Sequence, residues 1–286
     1  MRLHTLGCHP TAVFGVFGGV YALAKLRGLG APMIADAIGA AGSLSAGLNA
    51  SFEEGRSTKM MHVGMAATGA LRAVALAQAG VSGPRTVFDG RFGWFRSHVQ
   101  GCEALRFDAL CRGLGEEWEM LNTASKVSPC AFTMMPHIEC ALVLREQHGI
   151  RPATTWHGRI SLQHTVVEVL VCGRMDKGAY AEANLRNPVI NAFDDKVRHE
   201  DDPATTATRS GGTVTLRLHD GRVVTHRIDD MRGTRGNPMS LDDVVAKFLA
   251  NVGGVLSASR AEATIESPLA LERRDDVAAV FERLCC

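Results

Sequence analysis

No C-x-x-C pair occurs among the eight cysteines of this 286-residue chain, which are Cys8, Cys102, Cys111, Cys130, Cys140, Cys172, Cys285 and Cys286. That scatter excludes a spaced structural zinc site and gives no sign of a disulfide framework, so the thiols read as reduced and the compartment as cytoplasmic. Charge of one sign is missing too. The formal net charge is +1, and no basic stripe is interleaved with aromatics, which removes the electrostatic case for nucleic acid. Internal repeats and low-complexity tracts are absent, and no run beyond the N-terminus is long and apolar enough to span a bilayer, so no membrane partner is expected. The apolar run over 11–26 behind Arg2 has the outline of a signal peptide. His4, His9, Pro10 and the internal Gly15, Gly18 and Gly19 argue against one, and no cleavage site precedes Lys25.

What is present describes a globular protein: 46% hydrophobic residues against 21% charged ones leave enough apolar surface for a core, and the length is that at which one core tends to become two. Thirty glycines are more than such a chain usually carries. Many fall inside apolar runs, which points to closely packed helices. Pro10 suits the first position of a helix through Phe14, Phe17, Val20, Tyr21 and Lys25, with Gly28 and Gly30 as stops. A second helix is expected from Pro32 toward Leu48 and a third over 61–79 with Gly80 at its end, followed by the breaker Ser82-Gly83-Pro84. Three such helices form a bundle.

Further along, the spacing of Phe107, Leu110 and Leu114 predicts a short amphipathic helix, and Lys126-Val127-Ser128-Pro129-Cys130 a linker or short strand. A helix over 137–147 follows. The run 161–172 is ambiguous, its valines favouring a strand while Leu162, Thr165, Val166, Val169 and Leu170 fit a helical face. Asp220-Gly221 between 213–218 and 222–228 is a β-hairpin signal. A helix capped by Ser240, with Asp242 and Asp243 in its first turn, and a last helix over 267–284 close the chain. The fold class is mainly α with an α+β part.

Familiar catalytic motifs fail on inspection. His137-Ile138-Glu139 has no P-C-x-x-C to complete a deaminase zinc site, Gly42 to Gly47 is not a nucleophile elbow, and Gly28-x-Gly30 lacks the rest of a dinucleotide fingerprint. Helix packing explains both glycine pairs better. What remains is a set of cations beside glycine- or proline-marked turns: His9 before Pro10, Lys59 three residues ahead of His62 at the head of an alanine-rich run, and Lys126. His164 joins them as a candidate. One by one, each is more often a surface or packing residue than a ligand; three-residue spacing puts Lys59 and His62 on one helical face, where they suit an anionic substrate.

Taken together, the motifs Gly7-Cys8-His9-Pro10-Thr11, Ala40-Ala41-Gly42-Ser43, Thr58-Lys59-Met60-Met61-His62-Val63-Gly64, Asp89-Gly90-Arg91-Phe92-Gly93-Trp94, Lys126 to Cys130, Ile160 to His164 and the hairpin resemble, in order, those of the MmgE/PrpD family. Its members include 2-methylcitrate dehydratases, cis-aconitate decarboxylases and iminodisuccinate epimerases. The resemblance covers nearly the whole chain. It implies a helical domain over 1–122, an inserted α+β lid over 123–239 and a return to the helical domain over 240–286, with the site in the cleft. It further implies cofactor-independent chemistry without metal on a small di- or tricarboxylate. His9, Lys59, Lys126 and His62 would be catalytic, with His164, Thr58 and Ser161 at the substrate. Dehydration of a 2-methylcitrate-like hydroxy acid is the default, with decarboxylation and epimerisation as alternatives. A homodimer through the helical domain is expected.

Two departures bear on this. His164 stands where relatives carry a tyrosine, and the helical segment that in the family precedes the Gly-x-His-Pro motif, with its aspartate, threonine and histidine, does not match anything here. A catalytically incomplete scaffold, or a C-terminal half that needs a separately encoded N-terminal partner, is therefore the competing expectation.

Overall fold

The structure is a computed structural model and describes residues 2–54, 56–99, 105–149, 162–185, 187–191, 196–200, 202, 211–273 and 278. It divides into two compact units, Met1–Leu114 and Gly115–Cys286. Residues 240–273 group with the second unit.

The first unit is built on three helices, α1 (Pro10–Leu26), α2 (Ala31–Ala41) and α3 (His62–Gln78). Pro10 opens α1, and Gly28, at φ 62, ends it in the left-handed region that glycine tolerates. The helix packs most extensively on α3, and α2 leans on both. Glycine permits this approach: a Cβ on Gly19 would stand 2.7 Å from the Ala70 methyl and one on Gly15 3.0 Å from that of Ala66. Gly18 faces open space, so packing gives no reason for it. Val13, Val16, Phe17, Val20, Ala70, Ala73 and Val74 form the core. Trp94, 3% exposed, joins it with Phe14, Phe17 and Phe95 around it, and its indole N–H donates to Ser45 Oγ (2.9 Å), which donates in turn to the Val13 carbonyl (2.7 Å).

Differences from the sequence expectations have local causes. The second helix stops at Ala41 rather than near Leu48. Beyond it the Ser45 bond to α1 and an antiparallel bridge between Cys8 and Leu48 draw the chain back under the start of α1. The amphipathic spacing of Phe107, Leu110 and Leu114 yields only a 3-10 turn, Phe107–Leu110, with Leu110 and Leu114 exposed. Without a surface to cover, so short a segment does not repay helix nucleation. The expectation that no later run is long and apolar enough to span a bilayer is corrected: the 3-10 turn Ser57–Met61 runs straight into α3, and the 22-residue stretch Ser57–Gln78 meets that test by length and composition. Its Ala66, Ala70, Ala73, Val74 and Ala77 are buried, while Val63, Met65, Leu71 and Leu76 are exposed.

In the second unit, α4 (Met135–His148) packs on α5 (Leu162–Cys172) and on a two-stranded sheet. The ambiguous run resolves as helix, with Val166, Val169 and Leu170 buried against Ile138, Ala141 and Leu144 of α4. The Arg145 guanidinium donates to the Leu170 and Val171 carbonyls at 2.6 and 2.7 Å, occupying acceptors that the helix end leaves open. Strands β1 (Gly212–Arg217) and β2 (Val223–Ile228) pair antiparallel with Gly212 opposite Ile228 and Arg217 opposite Val223, and Gly221 turns the hairpin at φ 87. The segment 126–130 is a loop, not a strand. Helix α6 (Leu241–Val252) carries the full capping box of Ser240 and Asp243. The last described helix, α7 (Ala258–Leu269), begins well ahead of the expected 267–284, most of whose remainder lies outside the described residues.

Candidate active site

His9 and His62 come together in the first unit. His9 is the residue before Pro10 at the start of α1, and His62 is the first residue of α3. Their Nδ1 atoms lie 2.9 Å apart, with ring centroids at 4.9 Å. Along that line one ring nitrogen must donate and the other accept, so the pair holds one proton between the facing nitrogens; two imidazolium N–H groups cannot point at each other there. His62 is buried at 9% exposure and His9 is half-buried.

The segment 47–52 builds the floor beneath the pair. A Cβ on Gly47 would collide with the Ala12 methyl, so glycine lets α1 close over the segment, and it would stand in ordinary contact, 3.7 Å, with His62 Cε1. The Phe52 ring lies edge-on to His9 at 6.2 Å, and the Lys59 ammonium sits over that same ring, 5.4 Å from its centroid. Lys59 belongs to the 3-10 turn Ser57–Met61, where residues three apart eclipse; the turn thus carries Lys59 toward the side on which His62 begins α3. Lys59 and Thr58 are both exposed.

Electrostatics follow from this geometry. Burial first, then the neighbouring His62, Lys59 and His4, hold the His9 imidazole below its ordinary value of 6.5. Near neutral pH His9 is therefore neutral and able to accept a proton. The folded state binds this proton less readily than the unfolded chain does, so the associated stability is present above 6.5 and is lost as pH falls through the lowered folded value. Thermal melts across this window should show the midpoint dropping with acidification, and His9→Gln should lose part of that dependence. Superimposable pH profiles for variant and wild type would refute the placement of His9.

Lys126 and His164 belong to the second unit. Lys126 lines a cavity of about 550 Å³ together with Ser128, Arg174, Lys177, Lys247 and Asn251. Several of these cations are engaged: Lys177 Nζ donates to the Asn251 and Gly253 carbonyls at 3.0 and 3.1 Å, Arg174 pairs with Asp176 at 2.9 Å, and Lys247 donates to the Lys126 carbonyl. The exposed Lys126 ammonium has no hydrogen-bond or ion-pair partner among the described residues. Nearby, burial pushes the Cys130 thiol up to about 11 against the opposing pull of Lys126, so it stays protonated and is no nucleophile. His164 is completely buried in α5. Ser161 lies outside the described residues.

Glu139, part of the rejected deaminase signature, accepts the Arg232 backbone N–H at 2.8 Å and serves the fold. Among the described residues no group of three or more His, Cys, Asp or Glu is arranged to hold a metal ion. Phe52 and Asn49 escaped sequence reasoning. Phe52 carried no motif, and its use as a platform depends on where the chain between α2 and α3 folds back.

Comparison with known proteins bears on what this arrangement does. Residues 1–104 match the MmgE/PrpD N-terminal domain and residues 149–273 match the MmgE/PrpD C-terminal domain. The chain is 25% identical over 295 residues to cis-aconitate decarboxylase of Homo sapiens, covering 94% of this chain and 61% of that protein. It is 27% identical over 308 residues to cis-aconitate decarboxylase of Mus musculus, at 96% and 62% coverage. To that of Aspergillus terreus (strain NIH 2624 / FGSC A1156) it is 23% identical over 320 residues, at 98% and 65%. The chain thus spans less than two thirds of the length of these relatives.

Proposed function

Because the chain belongs to the MmgE/PrpD family, we propose that it is a lyase-type enzyme acting on a small di- or tricarboxylate, with His9 and His62 moving the proton. The observation that carries this reading is the 2.9 Å contact between the two imidazoles, with Lys59 held over the ring that also abuts His9. A neutral imidazole accepts a proton from carbon or, once protonated, returns it. Chemistry beside a carboxylate builds negative charge, and we assign Lys59 as the cation of the first unit that balances it, with Lys126 a second candidate named by the order of the family's motifs alone. In dehydration the C–H proton goes to the base, its electron pair forms the C=C bond, and the hydroxyl leaves as water with a proton from the acid. In decarboxylation the C–C bond breaks, CO2 leaves, and the electron pair left on carbon takes a proton from an imidazole of the pair that has first been protonated by solvent.

Both reactions need one proton donor and one cationic clamp, and the similarity to proteins named cis-aconitate decarboxylases favours the second. Incubation in D2O with cis-aconitate and, separately, with 2-methylcitrate, followed by proton NMR and CO2 release, tests it. Deuterium in a decarboxylated product is expected from the first substrate. Turnover of 2-methylcitrate alone would restore dehydration, and turnover of neither would sink the proposal.

A second reading is that the chain pairs with a second copy through the helical unit, or with a separately encoded partner. Exposed Phe14, Tyr21, Leu71 and Leu76 in that unit leave apolar surface to cover. Light scattering separates the readings: an active monomer would exclude this one.

A further inference from the structure

We infer that Asn49 is the positioning residue that sets the spacing of the His9–His62 pair, through the amide bonds by which it grips the turn leading into His9. The turn runs from His4 to Cys8, closes through the Gly7 N–H to the His4 carbonyl (3.1 Å) and bends at Gly7, whose φ of 86 lies in the left-handed region. One side-chain amide spans both ends of it: Asn49 Nδ2 donates to the His4 carbonyl at 3.1 Å and to the Cys8 carbonyl at 3.0 Å. The Asn49 backbone N–H adds a third bond, to the Gly7 carbonyl at 2.7 Å. The next residue after the gripped Cys8 carbonyl is His9, whose own N–H donates to the Gly47 carbonyl at 3.0 Å.

The same short segment thus touches both histidines. Gly47 lies beside His62 Cε1, and Asn49 holds the backbone from which the His9 ring springs. Asn49 is 9% exposed, so these bonds are made out of competition with water, and leaving the Cys8 carbonyl without its partner is costly. Its side chain reaches neither imidazole in any hydrogen bond of the structure; its effect on them passes through the backbone. A hydroxyl or methyl at this position is too short to span two carbonyls, and a carboxylate presents acceptors to acceptors. Nothing in the sequence around Asn49-Ala50-Ser51 signals this role.

The inference rests on the reading of His9 and His62 as the proton-handling pair, but its test requires no turnover. Long-range proton–nitrogen NMR of the 15N-labelled chain follows the tautomer and titration of each imidazole directly, and the groups facing His9 are His62, Lys59 and His4 together with the Phe52 ring. In the wild type, His9 and His62 should respond together, with one shared proton signature at the facing Nδ1 atoms. Asn49→Ala and Asn49→Ser should remain folded, lose that signature, and let His9 titrate closer to 6.5, its ordinary value. Ser51→Ala, which removes a buried hydroxyl with no hydrogen-bond partner among the described residues, is the control and should leave the pair untouched. Folded Asn49 variants with wild-type imidazole signals would overturn the inference. So would loss of a dispersed spectrum in both variants, because Asn49 would then be a determinant of the fold.

Discussion

Replacing Lys59 or Lys126 by alanine is expected to cut turnover by about 10²–10³ each while leaving the melting curve nearly unchanged. The two effects separate because of what each ammonium touches. Lys59 is exposed and makes one cation–π contact with Phe52, which is itself 38% exposed, so its loss costs about 0.5–1 kcal/mol of stability at most. Lys126 has no side-chain partner among the described residues and is exposed, so its removal breaks nothing that holds the fold. Surface cations of this kind are rarely worth more to stability. Against a carboxylate whose charge grows during reaction, the same groups act on the barrier itself. Steady-state kinetics on an active preparation, with circular dichroism melts of the same samples, decide the matter. Near-normal kcat/KM in both variants would remove these lysines from the site; a collapse of the melt would reassign them to the fold.

A large stability effect is expected from Gly39→Val in α2. A Cβ at Gly39 would stand 2.6 Å from the Gly83 carbonyl carbon and the Pro84 nitrogen, and 2.7 Å from Gly83 Cα. All three are backbone atoms, which cannot swing aside as a side-chain tip does. The crossing segment is also pinned: the Gly83 N–H donates to Asp36 Oδ1 (3.1 Å), and Arg85 pairs with Asp36 (3.0 Å) and donates to the Pro32 carbonyl (2.9 Å). Overpacking against so fixed a neighbour costs about 3 kcal/mol or more, which for a unit of this size lowers the melting midpoint by roughly 10 °C. Gly18→Ala is the contrasting case. It lies inside α1 facing open space, so the only change is the helix preference of alanine, worth about 1 kcal/mol in the stabilising direction. Calorimetry of the two variants should move in opposite directions; equal melts for Gly39→Val and wild type would show that α2 does not pack where it is described.

Much of the fold was legible because it is written in local chemistry. Pro10 and Gly28 bound α1, Asp220-Gly221 turns the hairpin, and Ser240 with Asp243 caps α6 through interactions that span only a few residues. Where the periodicity was present but the outcome depended on a distant surface, local reading stopped. The 107–114 spacing found nothing to cover, and the 161–172 run became helix over its described part because α4 offered a face for its valines. The first unit's candidate site shows the same divide. His9, Lys59 and His62 were marked by their turns and by the order of their motifs, yet what they do to one another is a matter of ångströms set by chain segments far apart in sequence.

By itself, then, the sequence determined the family, the helical character of both units, and which cations deserve suspicion, since each depends on residue types at short spacing. Only the tertiary structure decided that His9 and His62 face each other across 2.9 Å and that Phe52 seats Lys59 beside them. It also decided that Asn49 holds the turn they stand on. The physical reason is that the distance between two imidazoles is fixed by how α1, α3 and the segment between α2 and α3 pack, and close packing is a property of the whole unit that no local pattern records.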